Sequence, residues 1–302
     1  MKLKLAGHET FYPREHWLYK GMNEKAAKIH AKNTRRVNEF FKESEEANDE
    51  YPTDYMGVGI NMVKSIRHWV NAFGLLEKDS PSDFISPILK RDRYLDKLAT
   101  SWILHYQLIG SENPPTTWYW FFTHSDLVTF DKETFIRSYK EWIESLDIKQ
   151  NYSEKSLEND YQVLTGMYAK EENKDLFYPS QFANLGILSY NPHYKRYTRN
   201  ANPAIDPHIV LYCMLMFRDR FFSNSESLDL ENIRNIPESP LRVFKIDIDY
   251  FYEIMERVTP KIAKKFKLSR TAGMKTMQLN SLTKQDLLSD IYSIERQDNY
   301  LD

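Results

Sequence analysis

The 302-residue chain has 41 basic and 43 acidic residues, a formal net charge of −2 with neutral histidines, and 41% hydrophobic residues. This is the balance of a globular protein with room for two or three units, which excludes a disordered chain and a uniformly basic nucleic-acid coat. The lone Cys213 excludes an internal disulfide, a redox pair and a cysteine-built zinc site, and the absence of a bilayer-length apolar run or a signal-like start predicts a cytoplasmic protein.

The chain predicts a mainly α-helical protein with helix-turn-helix, winged-helix-like elements and a few short strands. Turn-forming breaks divide it into a DNA-reading unit over 1–80, an aromatic-rich helical unit over 81–152, a helical unit with a basic Tyr/Arg loop over 153–239 and a basic helical unit over 240–302. In the first unit, Gly7-His8-Glu9-Thr10-Phe11 opens the chain, and helices are expected near 14–21 and 33–48. His8 and Glu9, with Arg14 and Lys20 nearby, could supply a proton-transfer group, a metal-binding carboxylate and cations for a phosphodiester; a structural Glu9–Arg14 pair is the alternative.

Next comes the turn Gly57-Val58-Gly59 and a helix with two faces. Met62, Ile66, Trp69, Val70 and Phe73 recur at helical spacing and should pack inward. Asn61, Lys64, Ser65 and His68 lie on the other side, and with Arg67 they form an acid-free donor set suited to phosphates and base edges. The segment therefore reads as a recognition helix, ended by Gly74; the alternative is an amphipathic helix facing water. Trp102 to Tyr106 and Trp118 to Phe122 form aromatic helical runs that should be core, as should Cys213 within Ile209 to Phe217.

Asn184-Leu185-Gly186-Ile187-Leu188 echoes Phe73-Gly74-Leu75-Leu76, as though a second helix-turn-helix-like element ended there. Beyond it, Lys195, Arg196 and Arg199 alternate with tyrosines in a turn-rich loop or wing that could hold phosphates, or could be a solvated hairpin. Asp247 and Asp249 would share one face of a strand and could join Glu253 or Glu256 around Mg²⁺, but they could equally cap a helix starting near Tyr250. Asp160 is a further acid in an aromatic setting. Between Met255 and Lys275 stand Arg257, Lys261, Lys264, Lys265, Lys267, Arg270 and Lys275 against the single acid Glu256, a density that favours phosphate contact. Thr283 and Asp286 carry a capping signature for a terminal helix. The chain has no phosphate-binding loop, dinucleotide fingerprint, nucleophile elbow or paired-histidine zinc signature, so ATP hydrolysis, nicotinamide chemistry and esterase chemistry have no support.

Three blocks also carry a resemblance: Gly7-His8-Glu9-Thr10-Phe11-x-x-Arg14-x-x-Trp17-Leu18-x-Lys20-Gly21, Gly57-x-Gly59-x-Asn61-Met62-Val63-x-Ser65-Ile66-Arg67-x-Trp69, and Tyr94-Leu95-Asp96 followed by Trp102-x-Leu104-His105-Tyr106. Together they resemble a bacterial family of unknown-function domains found beside cysteine desulfurase and PAPS-reductase-like genes in DNA phosphorothioation clusters. The resemblance implies an SspB-type DNA-nicking component that works with a desulfurase, an ATPase and a sulfur-transfer enzyme on double-stranded DNA. It assigns no catalytic residues. Nicking would call for Mg²⁺ or Mn²⁺ on carboxylates, for which Glu9 or Asp247 with Asp249 are the candidates; a non-catalytic DNA-binding adaptor and a transcriptional regulator are the alternatives.

Overall fold

The computed structural model describes residues 2–22, 53, 56–78, 80–112, 114–169, 180–223, 225–271, 274–279 and 281–298. The helix expected near 33–48 lies outside them. The described chain is mainly helical, with short strands in small sheets. The first helix, α1 (Trp17–Gly21), packs against α2 (Ile60–Ala72), which is followed by the hairpin β1 (Leu76–Glu77) and β2 (Ser80–Pro81). A short α3 (Ser86–Leu89) leads to the aromatic pair α4 (Leu98–Gly110) and α5 (Thr116–Thr123). Nearly every residue of that pair is buried, as its all-round apolar sequence requires.

The rest of the chain follows one order of elements twice. In the first pass, β3 (Thr129–Phe130) leads directly into α6 (Lys132–Ser145), whose first turn is capped by Asp131 accepting from the Thr134 N–H. Then come α7 (Glu154–Tyr168), capped by Ser153, a 3-10 helix (Gln181–Leu185) and the hairpin β4 (Leu188–Asn191) and β5 (Arg196–Arg199). After α8 (Pro207–Phe221), the second pass begins with β6 (Ser227–Asp229), whose Asp229 caps α9 (Leu230–Ile233). It continues through α10 (Pro240–Val243), α11 (Ile248–Met255) and α12 (Pro260–Ala263) to the hairpin β7 (Lys267–Thr271) and β8 (Met274–Gln278). In both antiparallel sheets the late strand lies in the middle, giving the orders β3-β5-β4 and β6-β8-β7. These pairings join residues on either side of the divisions drawn at 152 and 239.

The echo between 73–76 and 184–188 has a structural counterpart. Gly74 and Gly186 adopt φ of 62° and 65°, the left-handed region that ends a helix and turns the chain into a hairpin. The terminal helix α13 (Lys284–Asp298) starts with the expected reciprocal cap, the Thr283 N–H donating to Asp286 and the Asp286 N–H to Thr283 Oγ1.

One continuous cluster of buried apolar residues runs from Leu3 to Tyr292. Cys213 lies fully buried within it on α8, where burial pushes its thiol well up. His105 on α4 is also fully buried: its Nδ1 meets the Tyr168 hydroxyl at 2.8 Å, and its Nε2 has no partner among the described residues. Burial, reinforced by the charge of Arg199, pushes His105 down to about 3 from an ordinary 6.5, so the folded protein keeps it neutral. Below pH 6.5 the unfolded chain takes up a proton that the folded chain refuses, so stability should fall as pH drops from 6.5 towards 3. Urea midpoints measured across that window should decline steadily, and His105→Phe should flatten the decline. An equal slope in the variant would show that other groups carry it.

Candidate nucleic-acid interface

The helix read as a recognition helix forms where expected, as α2, with Ile66, Trp69 and Val70 fully buried and Met62 partly so. Its other side is divided. Asn61 is exposed, and Lys64 lies on the rim, with its ammonium 3.4 Å from Asn61 Oδ1 and 3.8 Å from Glu9 Oε1. Arg67 is half-buried.

Ser65 and His68 depart from the expectation. The opening segment Gly7–Phe11 lies over them: Ser65, fully buried, donates to the Phe11 carbonyl at 3.2 Å, as does Trp69 Nε1 at 2.9 Å. The His68 ring sits edge-on to Trp69 and His8 and packs against Gly7. Its Nε2 has no partner among the described residues, and burial, followed by His8 and Lys4, pushes the imidazole down to about 3. Both groups therefore serve the interior, because a distant segment covers that half of the face.

His8 is held inside the fold, away from the exposed face of α2. It is 1% exposed and lies parallel to Trp69 with 6.0 Å between ring centres. Its Nε2 meets Asp160 Oδ1 at 2.8 Å and its Nδ1 accepts from the Thr10 N–H at 3.2 Å, so both ring nitrogens are committed. Asp160 also accepts from the Ala6 N–H at 2.8 Å and from Thr117 Oγ1 at 2.5 Å. The cluster fastens the opening segment to α7 and α5. Glu9 stays partly exposed beside Lys64, and the Arg14 guanidinium lies over the rings of Phe11 and Trp17.

Asp247 and Asp249 are not on a strand. Asp247 caps α11, accepting from the Tyr250 N–H at 2.8 Å and from Asn202 Nδ2 at 2.5 Å; these bonds hold its carboxyl below the usual range. Asp249 is open to solvent in the first turn, 3.3 Å from Arg270 and 3.8 Å from Lys275. The capping alternative is the one the fold uses. Among the described residues, no group of three or more His, Cys, Asp or Glu side chains could hold a metal ion.

The cations sort clearly. Arg199 is 5% exposed and points inward, donating to the carbonyls of Phe121, Phe122, Arg242 and Val243 at 2.9 to 3.3 Å; it is a structural arginine and not a surface phosphate contact. Lys195 stands exposed at the β4–β5 tip beside Tyr194, while Arg196 lies 3.5 Å from Asp131. In the basic run, Arg257, Lys265, Arg270 and Lys275 pair with Glu253, Asp286, Asp249 and Glu231. Lys261, Lys264 and Lys267 are exposed, with no ion partner among the described residues, where α12 passes into β7. The run thus carries less free charge than its composition suggests, gathered at one helix-to-hairpin junction.

The pattern of a family described as a protein of unknown function, DUF4007, matches residues 5–292. The chain belongs to that family. Two solved structures share the fold of this DUF4007 member. The magnesium ion-bound SspB crystal structure matches with a TM-score of 0.75 and 24% identity over 99% of this chain and 89% of that one. A second SspB crystal structure matches with a TM-score of 0.73 and 24% identity over 98% and 88%. No curated protein sequence is significantly similar. No helix among the described residues is long and apolar enough to cross a membrane.

Proposed function

We propose that this protein is a double-stranded-DNA-binding component of a DNA phosphorothioation defence system, acting with a cysteine desulfurase, an ATPase and a PAPS-reductase-like sulfur-transfer enzyme. The observation that supports DNA binding is the twice-used order of strand, helices and hairpin with the late strand central, which we read as winged-helix-like, together with Lys261, Lys264 and Lys267 at the helix-to-hairpin junction of the second copy. The α2–β1–β2 element would be a further reader, through Asn61, Lys64 and Arg67. The fold shared with SspB and the family resemblance support the phosphorothioation context.

Nicking of one strand with Mg²⁺ or Mn²⁺ is the finer proposal. The commitment of His8, Asp160 and Asp247 to structural bonds favours its alternative, an adaptor that brings the sulfur-transfer enzymes to the site. Supercoiled plasmid incubated with either metal, and with EDTA, separates the two: metal-dependent relaxation that survives purification supports the nickase, and tight binding without relaxation the adaptor. Duplex binding should weaken steeply with salt, and its absence even at low salt would overturn the proposal. Asn61→Ala should relax sequence preference, whereas Lys264→Ala should weaken binding to all duplexes alike.

A further inference from the structure

Arg199 poses a question that its hydrogen bonds do not answer. Its guanidinium is almost fully buried, and among the described residues its hydrogen bonds go to neutral carbonyl oxygens. A buried charge is costly unless a counter-charge or a metal compensates it, and carbonyl dipoles meet that need only in part. Burial and then the neighbouring Arg242 hold Arg199 down at about 10, opposed by Asp126.

The surroundings add more positive charge. Arg199 lines a cleft of about 410 Å³ together with Arg242, Lys245 and Arg234. Lys245 Nζ donates to the Arg199 carbonyl at 2.8 Å, and burial beside Arg199 lowers its own pKa. Arg242 donates through Nε to the Thr123 carbonyl and reaches Asp126 only at 3.5 Å. Two acids line the same cleft: Asp247, committed to the cap of α11, and Asp126, whose side chain is 94% exposed. Lys245 and Asn202, whose backbones bond to each other across the cleft's edge, both adopt a left-handed φ, 55° and 50°, without being glycine. Four cations against these two carboxylates leave the cleft with a net positive charge.

We propose that this cleft binds a phosphate group, either a phosphodiester of a DNA strand or free inorganic phosphate, held by Arg242 and Lys245 with the buried Arg199 adding charge from behind. Asn202, Asn235 and Ser125 line the same walls and could donate to the remaining oxygens. Only the choice of the DNA strand as phosphate source rests on the proposed function.

The test uses the full chain and two probes, inorganic phosphate and a blunt DNA duplex, titrated at constant ionic strength with chloride as the control. Phosphate should raise the melting temperature of the wild type where chloride does not. Lys245→Ala should weaken phosphate binding about tenfold, the loss of one charged hydrogen bond. Because that lysine also holds the Arg199 carbonyl, Asp126→Asn is the decisive second variant. It removes an exposed acid and should tighten phosphate binding several-fold, which damage to the fold would not do. If duplex affinity moves with phosphate affinity in both variants, the strand is the source; if only phosphate responds, free phosphate is the ligand. Wild-type protein that binds duplex but is neither stabilised by phosphate nor sensitive to Asp126→Asn overturns the cleft and leaves the proposed function standing. A phosphate response in a protein that binds no duplex does the reverse.

Discussion

Asp160→Ala should destabilise the protein by about 3–5 kcal/mol, the range for breaking a buried charged or hydrogen-bonded cluster by removing one partner. The carboxylate is 1% exposed and accepts from the Ala6 N–H, His8 Nε2 and Thr117 Oγ1. Alanine strips all three of their acceptor and leaves a small cavity in a buried site. Asp160→Asn keeps one acceptor oxygen and the volume, and should cost about 1–2 kcal/mol, in the range of a single impaired buried bond. Urea unfolding followed by tryptophan fluorescence measures both, and Trp69 and Trp118 flank the His8 ring as reporters. Because the same cluster pins the opening segment over α2, amide exchange at Ala6 and Thr10 should accelerate in the alanine variant well before global unfolding. A loss below about 1 kcal/mol would mean that the His8–Asp160 pair is already solvated, and would reopen His8 as a chemical group.

Changing Lys261, Lys264 and Lys267 together to alanine should cut the dependence of DNA affinity on salt. Each phosphate contact adds about 0.9 to the slope of log K against log salt, so three lost contacts lower it by about 2.7. The three side chains are exposed and lack ion partners among the described residues, so stability should change by less than about 0.5 kcal/mol per site. Neighbouring cations give the contrast. Lys265 and Arg270 already neutralise Asp286 and Asp249, and replacing either should alter the slope far less. Fluorescence anisotropy with a labelled duplex over a salt series reads the difference. An unchanged slope in the triple variant would move the DNA away from the α12–β7 junction.

The buried side of α2 was legible because a helix's period depends only on its own residues: Ile66, Trp69, Val70 and Phe73 are all inside. Its polar side was legible only in part. Ser65 and His68 are covered by residues more than fifty positions away, and no local pattern contains that contact. Arg199 was misread although its signal was present. Along β5 the chain alternates out, in, out, in, so Arg199 shares the inward face with Tyr197, while Arg196 and Thr198 face away. Reading Arg196 and Arg199 as one basic patch ignored that two-residue period. Asp247 could be assigned either way from sequence, since a strand and a helix cap both suit an aspartate after Lys245-Ile246; Asn202, 45 residues away, helps hold it as a cap. The cationic cleft could not be read locally at all, since its cations come from β5, α10 and the segments after α9 and α10, which long-range packing and hydrogen bonds such as those of Arg199 to the Arg242 and Val243 carbonyls bring together.

Cys213 offers a practical opening. A thiol that is fully buried and kept protonated reacts slowly with maleimides or oxidants, so the native chain is effectively silent to thiol chemistry. Tyr194, 69% exposed at the tip of the β4–β5 hairpin, can then be exchanged for a cysteine that takes up a single dye. Energy transfer from that fluorophore to a labelled oligonucleotide would report directly how near the tip approaches a bound double helix.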